Sequence, residues 1–310
     1  MATMLLRRPV LAGRFYDADP TRLAAQIRHF MANGAGQTQA RPASHGGKPW
    51  GLMLPHAGHV YCGMVVGATL NDAPLPQTLV IICPNHTGRG RQALGVWPNG
   101  VWLTPLGPVA VNTKLASELA ALPPFGEDAE CHGSEHSIEV LLPFFQEYAR
   151  MLAEQAGTPD AGASGADTSK AGAPAVAVPN IVPVCVGTQN YAVLTQAGQA
   201  LAGLLSSQPA GSVGVIVSSD MNHFADVETT KRKDRLALDK VVAGDPLEFL
   251  KTIQGEKISM CGAGLMALAL TAMHALGKPV VEEVCHDTSA TASGDTARVV
   301  GYAGLRLFVD

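Results

Sequence analysis

Three apolar runs of the chain each end in a histidine-bearing polar cluster. They are Gly51-Leu-Met-Leu-Pro-His56, Leu79-Val-Ile-Ile-Cys-Pro-Asn-His86 and Val213-Gly-Val-Ile-Val-Ser-Ser-Asp220-Met-Asn-His223. Neutral imidazole binds transition metals and titrates near physiological pH, and a nearby carboxylate adds a ligand or an acid/base partner. Convergence of His56, His86, Asp220 and His223 would therefore build a metal or acid/base site. Asp220 and His223 lie three residues apart, a spacing that gives them one side of a helical turn. A fourth cluster, His132-Gly-Ser-Glu135-His136-Ser137-Ile-Glu139, precedes an apolar stretch read as a helix from Ile138. Glu135 and His136 are expected at that helix's N-terminus, where anionic ligands bind readily. A capping box from Ser134 fails, because Ser137 stands where Glu or Gln is needed. Cys261 precedes Gly262-Ala-Gly264 at the start of another apolar helix. A thiol at such a terminus has a lowered pKa and is a candidate metal ligand or nucleophile.

These residues need elements to position them. A short apolar run bounded by turn residues reads as a buried strand, and open α/β sheets bind ligands outside the carboxyl ends of their strands. Strands are expected at 51–55, 79–83, 181–186 and 213–217. Pro55-His56-Ala-Gly58 and Pro84-Asn-His86-Thr-Gly88 repeat one strand–Pro–His–Gly layout, which adjacent parallel strands joined by a helix would bring together. Helices are expected at 22–31, 64–70, 113–121, 138–153, 193–205, 230–242, 246–254 and 264–276, with a loop over 33–48. Pro98-Asn-Gly100 between two strand-like arms predicts a hairpin. A strand pair is expected over 297–308. Strands alternating with helices predict an α/β fold around a largely parallel sheet. Residues 154–174 turn to Ala, Gly, Ser, Thr, Asp and Pro and read as a surface or disordered insertion within one domain spanning 1–310.

Composition narrows the function classes. The chain has 310 residues, 47% hydrophobic and 15% charged, with a net charge of -4, so a nucleic-acid partner is not expected. The basic group Lys231-Arg-Lys233 with Arg235 is interleaved with acidic residues and reads as a solvated helix face. Six cysteines without a C-x-x-C pair, and no secretory signal pattern, point to a reducing cytoplasm. No run reaches the ~18 apolar residues of a membrane span. Nucleotide-binding and serine-hydrolase motifs are missing.

Taken in order, Pro55-His-Ala-Gly58, Pro84-Asn-His-Thr-Gly88, Trp102-Leu-Thr-Pro-Leu-Gly107, Glu135-His-Ser-Ile-Glu-Val-Leu-Leu-Pro143 and Ser218-Ser-Asp-Met-Asn-His223 resemble the motifs of the MEMO family. Cys261-Gly262 and Ser293-Gly-Asp-Thr-Ala-Arg-Val-Val-Gly-Tyr-Ala303 extend the resemblance, which runs from about Arg8 to Phe308. Bacterial and archaeal members are called AmmeMemoRadiSam system protein B. The resemblance implies a single-domain αβα sandwich similar to class III extradiol dioxygenases, which use non-haem Fe(II). It implies metal ligands at His56, His86 and Cys261, with His136, Asp220 and His223 in the same cleft as acid/base or supporting groups. Thiolate in place of the dioxygenase carboxylate makes iron or copper redox chemistry thinkable, with Fe(II) preferred and zinc a further option. The resemblance also allows a non-catalytic module for a phosphorylated or peptide ligand; a third reading, from the residues alone, is a zinc-dependent hydrolase with Glu135 as base, although no H-E-x-x-H is present. A small-molecule or peptide ligand and the other AmmeMemoRadiSam proteins, a radical SAM protein among them, are the implied partners. His59, Cys62 and Asn222 depart from the usual motif and are expected beside the metal.

Overall fold

Apolar runs alternating with amphipathic segments set the element order. The computed structural model describes residues 4–37, 49–157 and 177–310. The chain begins with β1 (Leu6–Arg7), α1 (Pro20–Gln37), β2 (Gly51–Leu54), α2 (His59–Leu70) and β3 (Thr78–Pro84). Next come β4 (Leu94–Val96), β5 (Val101–Thr104), β6 (Gly107–Ala110), α3 (Thr113–Ala120), β7 (Phe125–Glu127) and α4 (Leu142–Gln155). They are followed by β8 (Asn180–Val186), α5 (Tyr191–Ser206), β9 (Val213–Ser218) and β10 (His223–Ala225). The last elements are α6 (Val227–Ala243), α7 (Pro246–Gly255), α8 (Ala263–Leu276), β11 (Pro279–Thr288), α9 (Ala290–Ser293) and β12 (Val299–Val309).

The large sheet runs β10-β12-β2-β9-β3-β8-β4-β7, with β11 on the other edge of β12. Its centre, β2, β9, β3 and β8, is parallel. Apart from Thr78, Asn180 and Ser218 at their ends, these strands are apolar because helices cover both faces. Helices α1, α2 and α4 form one layer, and α5, α8, α7 and α6 the other, which makes an αβα sandwich. Register brings the carboxyl ends level: Leu54 pairs with Ser218, and Ile82 with Val217. The segments after β2, β3 and β9 therefore leave the sheet along one rim, as their sequences predict.

Four local expectations are corrected. Pro98-Asn99-Gly100 closes no hairpin, since β4 pairs with β7 and β8 while β5 pairs with β1 and β6 in a separate sheet. Gly100, at φ +95°, lies so close to the Leu5 carbonyl that any Cβ would collide with it. Trp97 and Trp102 pack edge-on at 5.6 Å across this crossover. The helix expected from Ile138 starts at Leu142, because Pro143 has no N–H to offer the Glu139 carbonyl and Leu142 takes it instead. At the C-terminus, β12 is one long strand whose partner β11 lies earlier in the chain. Helix α1 extends through 33–37, where a loop is expected, because Gly34 packs against α2; residues 38–48 lie outside the described residues. Of the expected insertion, 154–155 belong to α4 and everything from 158 to 174 lies outside the described residues.

Buried Glu139 anchors the N-terminal segment. It accepts hydrogen bonds from Arg7 Nη1 (2.5 Å), the Leu11 N–H (2.8 Å), the Val10 N–H (2.9 Å) and the Tyr16 hydroxyl (2.7 Å). Burial and the adjacent carboxylate push the Tyr16 hydroxyl's pKa up, which keeps it a donor. Among the described residues no helix is long and apolar enough to cross a membrane.

His59 opens α2 and turns into the core rather than toward a metal. Its Nε2–H donates to the Val140 carbonyl (2.7 Å), and its ring stacks on Tyr16 at 5.3 Å. Cys62 directs its thiol to the Ala57 carbonyl (3.2 Å), and Asn222 bonds Thr230 and Ser259. None of the three departures from the motif belongs to the group formed by His56, His86 and Cys261.

Two measurements test this packing. Gly67 on α2 faces the Phe30 carbonyl of α1, where a Cβ has no room and the obstacle is backbone. Gly67→Ala is expected to cost about 3 kcal/mol in denaturant unfolding, whereas Gly203→Ala, with open space around it, should gain up to ~1 kcal/mol. Burial pulls the His59 pKa down to about 4 from its ordinary 6.5. Between those values the unfolded chain binds the extra proton, so stability is full above pH 6.5 and falls as pH drops toward 4. Unfolding curves should show the wild type losing about 3 kcal/mol more than His59→Gln over that window.

Candidate metal centre

The site forms where the loops after β2, β3 and β9 meet the segment before α8. His56 is buried and held at both ends. Its N–H donates to Asp220 Oδ1 (2.7 Å), and its Nδ1 lies 2.8 Å from Ser218 Oγ. The Ser218 hydroxyl gives its proton to the Ser137 carbonyl (2.7 Å), so Ser218 Oγ can only accept from His56 Nδ1–H. His56 Nε2 is thereby left with a lone pair, 3.4 Å from Cys261 Sγ. Burial holds the His56 pKa well below its ordinary value, so the ring is neutral.

His86 is oriented in the same way by a different partner. Its N–H donates to Glu135 Oε2 (2.7 Å) and its Nδ1–H to Glu135 Oε1 (3.0 Å). The second nitrogen, Nε2, is again the free one. Carboxylate support of this kind sets the tautomer and raises the basicity of a ligating imidazole. Burial works against ionised Glu135, but the His86 hydrogen bond and charge, with the Ser137 hydroxyl, prevail and hold its pKa at about 2. The same interaction outweighs burial at His86 and raises its pKa.

Cys261 lies immediately before Gly262, the N-cap of α8. Its Sγ accepts the Asp220 N–H at 3.2 Å. The expected lowering of its pKa is not seen: burial, then the Asp220 carboxylate, push the thiol up. A cation at Sγ reverses that balance, because a coordinated thiol deprotonates outright. One donor atom from each of His56, His86 and Cys261 lies within 4.8 Å of the other two. Two imidazole lone pairs and a thiol sulfur thus fit one transition-metal ion.

The remaining expected residues surround this group. His136 stacks on His86 at 5.1 Å and meets His56 edge-on at 5.6 Å; burial lowers its pKa. Asp220 is buried, and that burial pushes its pKa up to about 6 against the hydrogen bond from the His56 N–H. Asp220 and His223 line one cleft, though on a loop and a short strand rather than a helical turn. His223 Nδ1–H donates to the Ser259 carbonyl (2.7 Å), which leaves its Nε2 as an acceptor.

Glu135 needs correction in two respects. It does not stand at a helix N-terminus, since α4 begins seven residues later at Leu142. Nor is it a free base: besides His86 it accepts from the His136 N–H (2.9 Å), the Ser137 N–H (3.1 Å) and the Ser137 hydroxyl (2.7 Å). A hydrolase reading that relies on Glu135 as base lacks support. Ser137 and Ser218, which complete the support of both imidazoles, escape sequence reasoning because a serine in an irregular turn or at a strand end carries no spacing rule.

The cleft holds about 590 Å³ and extends outward past Arg14, Phe15, Tyr61, Phe224 and Arg298. A smaller apolar cavity of about 140 Å³, lined by Trp50, Leu52, Leu79 and Val213 at the opposite ends of the strands, carries no titratable group.

Comparison with known proteins agrees with this arrangement of motifs. A family model described as Memo-like protein matches residues 7–306. A MEMO1 family protein of Thermotoga maritima is 35% identical over 309 residues, covering 97% of this chain and 99% of its own. Relatives of the same description from Sulfolobus acidocaldarius and Methanopyrus kandleri are 32% and 31% identical, with at least 96% of this chain and 98% of theirs covered. The chain belongs to the Memo-like protein family.

Proposed function

We propose that His56, His86 and Cys261 hold a single redox-active metal ion, Fe(II) in preference to copper, in a dioxygenase-like oxidoreductase acting on a small organic substrate. The observation that carries this reading is the matched pair of tautomers. Both imidazoles donate Nδ1–H, to Ser218 and Glu135, and both keep Nε2 free near Cys261 Sγ. Two imidazoles offering Nε2, together with a thiolate, form a set that suits iron, copper or zinc by donor softness. Zinc hydrolysis is disfavoured because the oxygens of Glu135 are already engaged by five donor groups.

When bound, iron supplies one-electron steps with O₂ and a template that orients substrate. The protein's residues then have separate tasks. Asp220 holds the His56 backbone and faces the cleft, and a carboxyl near pKa 6 can take or give a proton close to neutrality. His223 offers its Nε2 as an acceptor, with the ring fixed by Ser259. His136, neutral and packed between Phe15 and His56, shields the metal group from bulk water on that side.

Metal analysis after anaerobic purification tests the assignment. One iron or copper per chain is expected in the wild type and should be lost in both His86→Ala and Cys261→Ser. A wild type that takes up no metal under any loading condition sinks the reading, and zinc retained by Cys261→Ser favours a different site. Glu135→Gln keeps the shape but removes the charge behind His86. Competitive chelator titration should show metal affinity reduced 10–100-fold in that variant.

A further inference from the structure

The outer part of the cleft carries two cations without anionic partners. Arg7, Arg22, Arg28 and Arg235 each pair with a carboxylate. Arg14 and Arg298 line the cleft and, among the described residues, neither guanidinium has an ion pair or a hydrogen bond. Each presents five N–H donors in a planar fork suited to an oxyanion. The acidic residue on the same wall, Asp295, already accepts the Ala297 N–H (2.8 Å) through one oxygen.

Both arginines rise from fixed backbone. Arg14 sits in a turn closed by Gly13 N–H to Tyr16 O (2.7 Å) and Phe15 N–H to Leu11 O (3.0 Å). That turn is tied to Glu139 through Leu11 and Tyr16. Arg298 precedes β12 and lies over the Phe224 ring, 4.6 Å from its centroid. Phe224 itself has φ +63°, a left-handed conformation rare for a bulky residue, at a register shift between β10 and β12. Stacking on the ring face holds the guanidinium while leaving its N–H edge open. Exposed Phe224, Val60 and Tyr61 give this outer part an apolar lining beside its charge. At about 590 Å³ the cleft is the size of a small-molecule site.

We propose that the cleft binds a small organic anion, its carboxylate or phosphate held by Arg14 and Arg298 and its apolar body directed inward. The proposal rests on the metal-centre reading only for what the inner end of the ligand meets. Charge selection occurs at the outer arginines and substrate reaches the histidines already oriented.

Calorimetric titration of the full chain, with and without Zn(II) as a redox-silent ion, tests this with benzoate, phenyl phosphate, inorganic phosphate and benzyl alcohol. At least one aromatic anion should bind about tenfold or more tightly than benzyl alcohol and than inorganic phosphate. Whichever aromatic anion binds better identifies the anionic group. Arg14→Gln and Arg298→Gln should each weaken that binding about tenfold, with circular dichroism and metal content unchanged. Arg298→Lys should recover only part of it, because an ammonium lacks the planar fork. The proposal is overturned if neither aromatic anion binds, if neutral and anionic probes bind alike, if inorganic phosphate matches phenyl phosphate, or if the arginine variants bind like the wild type. Arginine-dependent anion binding in a protein that takes up no metal would sink the metal centre alone. Metal uptake without arginine-dependent anion binding would sink this proposal alone.

Discussion

One chain of hydrogen bonds organises the rim of the sheet. Ser218 at the end of β9 accepts from His56 and donates to the Ser137 carbonyl, while the Ser137 hydroxyl donates to Glu135, which in turn holds His86. Both imidazoles, a strand end and an irregular turn thus belong to one polar network. Burying the Glu135 charge is costly, and the cost is met only because every donor around it is in place. Removing any member leaves a neighbour buried without its partner, so the network holds one arrangement and penalises the rest.

The network can exist because the sheet delivers its parts level. Parallel pairing of β2, β9 and β3 aligns their carboxyl ends, and close packing of their buried side chains between the two helical layers fixes that register. On the helical layer the same demand falls on small residues. Gly34, Gly63 and Gly67 let α1 and α2 approach closely, and α2 begins directly behind the His56 loop. Glu139 then fastens the N-terminal segment over this layer, which places Phe15 against His136.

Much of this was legible in the residues alone. The apolar runs before His56, His86 and Asp220 marked strands whose ends carry the site, because burial on both faces leaves a pattern that needs no partner to read. The Trp97–Trp102 segment misled, since a Pro-Asn-Gly turn signals a reversal without saying which sheet each arm joins. Glu135 misled for another reason: apolar periodicity before Pro143 suggested a helix, and only the missing proline N–H moved its start. Cys261 carried one local signal, a thiol at the start of an apolar helix, which does not tell a ligand from a core residue. A thiol between Met260 and Gly262 looks like core, and its place beside His56 depends on contacts across the whole chain. Arg14 and Arg298 were equally silent, because a lack of partners is a property of three-dimensional surroundings.

The distance between Cys261 and His56 along the chain, 205 residues, has a consequence for biogenesis. A chain emerging from the ribosome has both imidazoles long before the sulfur, and β9 is made between the second imidazole and that sulfur. An ion needing all three donors therefore finds no home in a half-made molecule. Loading of the proposed ion would follow synthesis of the Cys261 segment, and its three donors would report that the loops after β2 and β3 have met the start of α8.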